Sequence, residues 1–445
     1  MDFLIIGADA AGLSAAVQIR QKRPEADILV IDKNDIISYA ACGMPYVISG
    51  EVPSIERLIH FTPESFKEKR SVKVKTKMEA VDIFPEEHAV EIMNHKTGKT
   101  EKTSYKKLLI ATGASPKKLP FIDYTLEGVF NLHNIPDLKG ILDYLETRHP
   151  STAAIIGAGN IGLELTEVLK KRGLDVYLFE IFPEPAFLWP PLIREESKKK
   201  INEKGINFFP STGVKSVEKK GKKFILATDN KEYSVDVVFS VVGTFPATKF
   251  IQDKIELSEN GAVVIDRTGK TSQEDIYAAG DCATVYHKIL DKQAYFPLGG
   301  TANKMGRVAG LNMAGEKIYF PGIVGTQIFK FFELSLGKTG LSKEEAEEQR
   351  RVIKEYSALR KDKAGYYPHA APVKVKIMID ETTKEVIGAS VVSQDNAAQF
   401  IDAAAVAVFN KMKVQDLGFF DSAYAPPYAP VWNALVSAAL KAAKT

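Results

Sequence analysis

Ala153-Ala-Ile-Ile-Gly-Ala-Gly-Asn-Ile-Gly162 is the stretch from which the fold is read. A short apolar run enters the glycines Gly157, Gly159 and Gly162, a helical pattern follows to Arg172, and Val176-Tyr-Leu-Phe179 ends in Glu180. Strand, glycine turn, helix, strand and acid at this spacing form a dinucleotide site: the glycines allow the tight turn, the helix N-terminus faces the pyrophosphate, and the acid chelates a ribose. Gly157, Gly159, Asn160, Ile161, Gly162 and Glu180 are the candidate residues for a nicotinamide dinucleotide, with Gly243 beside them. Glu180 repels a 2′-phosphate, and Ile181, Phe182, Pro183 and Glu184 bring no cation, so NADH is expected in preference to NADPH.

A second, looser copy opens the chain. Phe3-Leu-Ile-Ile-Gly7 turns through Gly7-Ala-Asp-Ala-Ala-Gly12 into a helix from Leu13 to Arg20, and Ile28-Leu-Val-Ile31 ends at Asp32, followed by Lys33. Asp9 stands where the middle glycine belongs. Its carboxylate is unfavourable near a pyrophosphate, so it either caps the helix or points toward the pocket of Cys42. Ala111-Thr-Gly113 ends a buried strand, and Asp275-Ile-Tyr-Ala-Ala-Gly-Asp281 ends another, where Asp281 is placed to accept hydrogen bonds from a ribityl chain. Gly7, Gly12, Asp32, Lys33, Ala111, Thr112, Gly113, Gly280 and Asp281 are the candidate FAD residues. The helix from Leu298 to Ala314 carries the small residues Ala302, Gly306 and Gly310, which permit close approach.

Ser38-Tyr-Ala-Ala-Cys-Gly-Met-Pro-Tyr46 begins six residues after Asp32. A lone cysteine is ordinarily a small buried residue, and that reading is kept for Cys282. Cys42 differs because its segment follows a nucleotide unit directly. It opens a helix from Met44 with Pro45 in the first turn, which is expected to favour the thiolate. A single thiol cycles between thiolate and a mixed disulfide, persulfide or sulfenic acid.

The remaining sequence bounds these readings. Lys plus Arg (59) nearly balances Asp plus Glu (56), a net charge of +3 over 445 residues, which gives no warrant for nucleic acid. No apolar run reaches the ~18 residues of a membrane helix, no signal-peptide layout opens the chain, and two cysteines suit a reducing compartment; the expected location is cytoplasmic, away from any membrane. No metal site is expected. Residues 51–105 read as a small sheet containing Val72–Thr76 and Ala89–Met93. From about Gly322 a third domain is expected, with strands at Gln327–Phe332, Val352–Ser357, Val373–Ile379 and Glu385–Val392. A helix from Ala398 to Asn410 follows, and a closing helix from Val431 to Ala443 is amphipathic enough to dock on a partner. Gly365-Tyr-Tyr-Pro368 and Tyr424-Ala-Pro-Pro-Tyr428 are aromatic clusters whose ordinary role is packing, although a phenol can also protonate a leaving thiolate.

Together the two nucleotide sites, the Ala-Thr-Gly and Gly-Asp segments, Cys42 and the C-terminal α+β region resemble the FAD-dependent pyridine nucleotide-disulfide oxidoreductases. The single-cysteine branch matches best, since the dithiol reductases carry a second cysteine where this chain has Val47. The resemblance implies an α/β fold with two Rossmann-like domains, FAD-binding (1–115 and 245–321) and NAD-binding (116–244), plus a C-terminal α+β dimerisation domain (322–445). It implies a homodimer in which Tyr366 and Tyr424 of the second subunit face Cys42, the redox nucleophile. Coenzyme A contacts would fall on Gln18, Ser38, Arg70 and Asn303, while Gln21, Ala41 and Trp432 depart from the coenzyme A disulfide reductase pattern. Asp9, Ala10 and Ala11 occupy the turn where the peroxidases carry a histidine, which disfavours peroxidase chemistry. No appended rhodanese domain is expected after Thr445, so sulfane sulfur would be delivered from outside. The expected activity is NADH-dependent reduction of coenzyme A disulfide, coenzyme A persulfide or polysulfide, with a small-molecule thiol, disulfide or sulfane-sulfur partner. The alternatives are an NADH oxidase working through a cysteine sulfenic acid, and a flavoprotein redox sensor.

Overall fold

The computed structural model describes residues 1–395 and 397–444; Asn396 and Thr445, both within the expected third domain, lie outside the described residues. Three five-stranded sheets organise the chain. The first runs in the order Ile276–Ala278, Lys107–Ile110, Phe3–Ile6, Ile28–Asp32, Lys73–Thr76, all parallel. Phe3–Ile6 is apolar and buried throughout, as a strand covered on both faces must be. Its register pairs Ile6 with Ile31 and with Ile110, so the first glycine turn, Asp32 and Ala111-Thr-Gly113 emerge at one edge. Ligands bind at that C-terminal edge in sheets of this kind.

The second sheet repeats the design in the order Asn207–Phe209, Asp175–Phe179, Thr152–Ile156, Val237–Ser240, Val129–Phe130, again parallel. The third is antiparallel, in the order Gln327–Phe331, Leu334–Gly340, Val386–Ser393, Pro372–Asp380, Ile353–Lys361, and the helices Ala398–Phe409 and Ala434–Ala443 pack on it. Two Rossmann-like units and a C-terminal α+β unit are the expected fold class. Among the described residues no helix is long and apolar enough to cross a membrane.

Three expectations change. Lys73–Thr76 joins the first parallel sheet as its edge, while Ala89–Asn94 is the centre of a separate antiparallel sheet with Met78–Phe84 and Lys99–Ser104. Leu334–Gly340 is an unforeseen strand, hidden by its two glycines; a Cβ on Gly337 would lie 3.3 Å from the Ile401 side chain, so the glycine makes room for a covering helix. The closing helix spans Ala434–Ala443 and buries Ala434, Leu435, Val436, Ala438, Ala439 and Ala442 within its own chain, so its apolar face is already used.

The helices Ala10–Lys22 and Gly299–Met313 cross in backbone contact. A Cβ on Gly306 would stand 2.1 Å from the carbonyl oxygen of Ala11, and one on Gly310 2.5 Å from that of Ala15. Backbone on both sides leaves nothing that can move aside. Gly306→Ala is expected to lower stability by about 1–3 kcal/mol, read as a fall in Tm. Gly300→Ala, at a site with no atom within 4 Å, should be neutral or slightly stabilising; equal Tm values for the two variants would refute the close-contact account.

Candidate active site

The first glycine turn is closed by Asp32, whose Oδ2 accepts from Ala8 N (2.8 Å) and whose Oδ1 accepts from Asn34 N (2.8 Å). Burial pushes the Asp32 carboxyl above its ordinary value despite those donors. Lys33 is exposed beside it. A Cβ on Gly12 would lie 1.8 Å from Gly7 O, which explains why helix and turn can meet only through glycines. Ala111 N donates to Ile6 O (2.8 Å), and Ala247 ties the next segment down by accepting from Thr112 Oγ1 (2.8 Å) and donating to Gly113 O (3.0 Å). Gly280 has φ +86°, and Asp281 behind it is pushed up to about 6 by burial, with no hydrogen-bond partner among the described residues. The helix Ala10–Lys22 carries no side-chain cap at its start. An uncapped helix start and an orphaned carboxyl on one cleft fit a dinucleotide with a polyhydroxyl chain, as FAD has.

The second turn is built alike and left more open. Glu180 accepts from Ala158 N through Oε2 (2.7 Å) and from Phe182 N through Oε1 (3.1 Å). Gly157 has φ +105°, and a Cβ on Gly162 would lie 2.0 Å from Gly157 O. A Cβ on Gly159 would meet nothing within 4 Å, and Gly159, Asn160 and Ile161 are exposed at the start of the uncapped helix Asn160–Lys171. Gly243 lies on the chain that returns beside this turn, with φ +98°. An open, uncapped turn with a fixed acid fits a nicotinamide dinucleotide.

Cys42 lies where these parts meet. It sits in the 3-10 turn Ala41–Gly43, ahead of the helix Met44–Ile48, with its residue open to solvent. Ser38 N donates to Ala8 O (3.0 Å), Tyr39 N to Asp9 Oδ1 (3.3 Å), and Ala40 N to Leu58 O (2.9 Å), so the loop is fastened to the first glycine turn. Asp9 thus takes the second of its two expected orientations: it occupies the cap position but makes no side-chain cap, and burial pushes it up to about 7. Behind the sulfur the packed protein desolvates it, and the carboxylates of Glu164, Asp281 and Asp9 add like charge, so its thiol lies above the ordinary value. The expected thiolate is therefore not what this protein environment favours. The helix after Cys42 has only five residues, too short for a dipole that outweighs desolvation and three acids.

Glu164 is the residue that sequence reasoning missed. It lies one helical turn beyond Asn160, has no hydrogen-bond partner among the described residues, and is pushed up to about 7 by burial first and by Glu167 second, against the pull of Lys330. Its signal is a carboxylate inside the apolar run Ile161-Gly-Leu-Glu-Leu165 that opens the helix.

The other expected residues divide. Asn303 Oδ1 accepts from Ser14 Oγ (2.8 Å), one turn from the buried Gln18, which donates to Gln21 Oε1 (3.3 Å); Ser38 has φ +51° at the head of the Cys42 loop. Arg70 ends the helix Pro63–Arg70 over the Phe61 ring, with no hydrogen bond to these residues. Tyr366 and Tyr424 are both exposed and hydrogen-bond each other, which raises the Tyr366 phenol, and neither bonds to the Cys42 loop of its own chain.

Comparison with known proteins places these features together. The pyridine nucleotide-disulphide oxidoreductase model matches residues 1–306, and that family's dimerisation domain matches residues 326–435. The chain is 34% identical over 443 residues to an NAD(P)H sulfur oxidoreductase (CoA-dependent) of Pyrococcus furiosus, covering 97% of each. It is 33% identical to an NADH oxidase of Methanocaldococcus jannaschii, covering 100% of this chain and 99% of that one. A solved NAD-dependent persulfide reductase from A. fulgidus superposes with a TM-score of 0.95 at 32% identity, covering 100% of this chain and 83% of that one.

The carboxylates around Cys42 make a testable pH effect. Alkylation by iodoacetamide follows the thiolate fraction. Glu164→Gln removes a like charge, lowers the Cys42 pKa and moves the rise in alkylation rate to lower pH. Measured on the FAD-loaded, reduced protein, an unchanged or upward-shifted profile would show that Glu164 does not act on the sulfur.

Proposed function

This chain belongs to the pyridine nucleotide-disulphide oxidoreductase family, and on that premise we propose that it reduces coenzyme A disulfide, coenzyme A persulfide or polysulfide with NADH, through FAD and Cys42. The observation that carries the reading is the convergence on one exposed cysteine of acids from three segments: Asp9 of the first glycine turn, Asp281 of the Gly-Asp segment and Glu164 of the second nucleotide helix. A thiol in that position lies between two dinucleotide sites. Bound FAD would take a hydride from NADH and deliver two electrons to sulfur.

Cys42 supplies the rest. As thiolate it attacks one sulfur of the substrate disulfide; that S–S bond breaks, the first thiolate leaves with a proton, and Cys42 is held in a mixed disulfide. Two electrons then break the new S–S bond, returning Cys42 as thiolate and releasing the second thiol after protonation. With polysulfide the intermediate is a Cys42 persulfide and the product is sulfide. Tyr366 and Tyr424 of a second subunit are the proposed proton donors; their exposure and mutual hydrogen bond support a role at a surface that a partner completes. Gln18, Ser38, Arg70 and Asn303 are the proposed coenzyme A contacts. We assign FAD to residues 1–115 and 245–321, NADH to 116–244 and homodimerisation to 322–445, in a reducing, cytoplasmic setting.

Anaerobic NADH oxidation by the FAD-loaded protein, with coenzyme A disulfide and polysulfide in parallel, tests the proposal. The expected result is turnover with a sulfur acceptor that falls at least about a hundredfold in Cys42→Ser. Rapid turnover with O₂ alone, and none with either sulfur acceptor, would move the assignment to an NADH oxidase. Full sulfur reduction by Cys42→Ser would remove the cysteine from the mechanism.

A further inference from the structure

The chain after Glu180 folds back over the second glycine turn. Ala186, with φ +50°, donates its N–H to Ala158 O (2.8 Å), while Ala158 donates its own N–H to Glu180. Ala158 thus joins the ribose acid to the returning loop. Within that loop Phe182 and Phe187 stack with centroids 4.4 Å apart and planes 3° from parallel. Arg194, from the helix Pro191–Glu203, lies over the Phe187 ring at 5.5 Å and pairs with Glu184 at 3.2 Å. The Arg194 side chain is only 18% exposed, and its Nε is buried with no hydrogen-bond partner. Glu184 stands between Pro183 and Pro185, which restrict its backbone.

The residues directly after Glu180, Ile181 to Glu184, contain no cation, but the fold brings one to them. We infer that Arg194 is a masked cation beside the adenosine ribose, and that its pairing with Glu184 makes it a determinant of the preference for NADH over NADPH. The inference rests on the proposed binding of a nicotinamide dinucleotide at Gly157–Glu180. Both oxygens of Glu180 are held by backbone N–H groups, so this acid cannot swing away from an incoming 2′-phosphate. Glu184 spends the charge of Arg194, the basic side chain that pairs with and stacks on this loop. The loop therefore meets a 2′-phosphate with two carboxylates against one guanidinium. Removing the Glu184 charge frees a planar donor suited to phosphate oxygens.

The test is the dissociation constant of NADPH relative to that of NADH, measured by fluorescence titration of the FAD-loaded protein and its variants. Glu184→Gln should lower the NADPH-to-NADH ratio on the order of tenfold. Adding Arg194→Gln to Glu184→Gln should return the ratio toward the parent value. A ratio that does not fall in Glu184→Gln overturns the inference, as does a gain that survives in the double variant, whose net charge equals the parent's, because the gain would then owe nothing to Arg194. The outcome is separable from the proposed activity: the ratio can respond as stated in a protein that reduces no sulfur acceptor. Failure to bind either nucleotide overturns both readings.

Discussion

One buried carboxylate joins the second nucleotide helix to the C-terminal sheet and, through Lys171, to the segment that follows Cys42. Glu167, 2% exposed on the second nucleotide helix, accepts from Lys171 (2.7 Å), from Lys330 and from the backbone N–H of Phe332 (2.6 Å). Lys171 also reaches Glu51 (2.6 Å), and Arg172 donates to the carbonyl of Ile48 at the end of the helix that follows Cys42. A buried charge of this kind is tolerable only when fully paired, and removing one partner of such a set costs about 3–5 kcal/mol. Glu167 ties the segment bearing Cys42, the helix of the second glycine turn and the first strands of the C-terminal sheet to one another.

The same packing gives Cys42 its electrostatic character. Glu164 is four residues from Asn160 at the second turn and three from Glu167 in the hub, so the hub that joins these segments also holds a carboxyl near the sulfur. Asp281 and Asp9 arrive from the first unit. Each is partly desolvated, each is pushed upward, and each disfavours an anion at Cys42. Desolvation and these acids act in the same direction on the sulfur, away from the anion. Proton position and sulfur reactivity are thereby coupled through the acids that line the junction.

Much of this was legible in the sequence because it is local. Glycines at Gly157, Gly159 and Gly162, an apolar strand before them and Glu180 after them impose the turn whatever surrounds it, and the first unit follows with the same spacing. The missed features depend on contacts between distant segments. Gly337 reads as a turn residue until Ile401 is seen against it. Arg194 lies beyond the residues that directly follow Glu180, and only the folding of the loop back to Ala158 brings it against Glu184 and Phe187. A helix start, a local feature, points to a Cys42 thiolate, and desolvation together with carboxylates drawn from three separate parts of the chain opposes it.

The two glycine turns then differ in one informative place. At Gly159 the space is open and the residue exposed, whereas Asp9 fills the matching position and accepts from Tyr39 N at the root of the Cys42 loop. A side chain there closes the first turn against the thiol segment; its absence leaves the second turn open to solvent. A cofactor that stays through every cycle is served by a closed turn tied to the redox residue, and one that must arrive reduced and depart oxidised needs an open one. That asymmetry between otherwise parallel units supports assigning FAD to the first and NADH to the second, independently of the acid at the end of either strand.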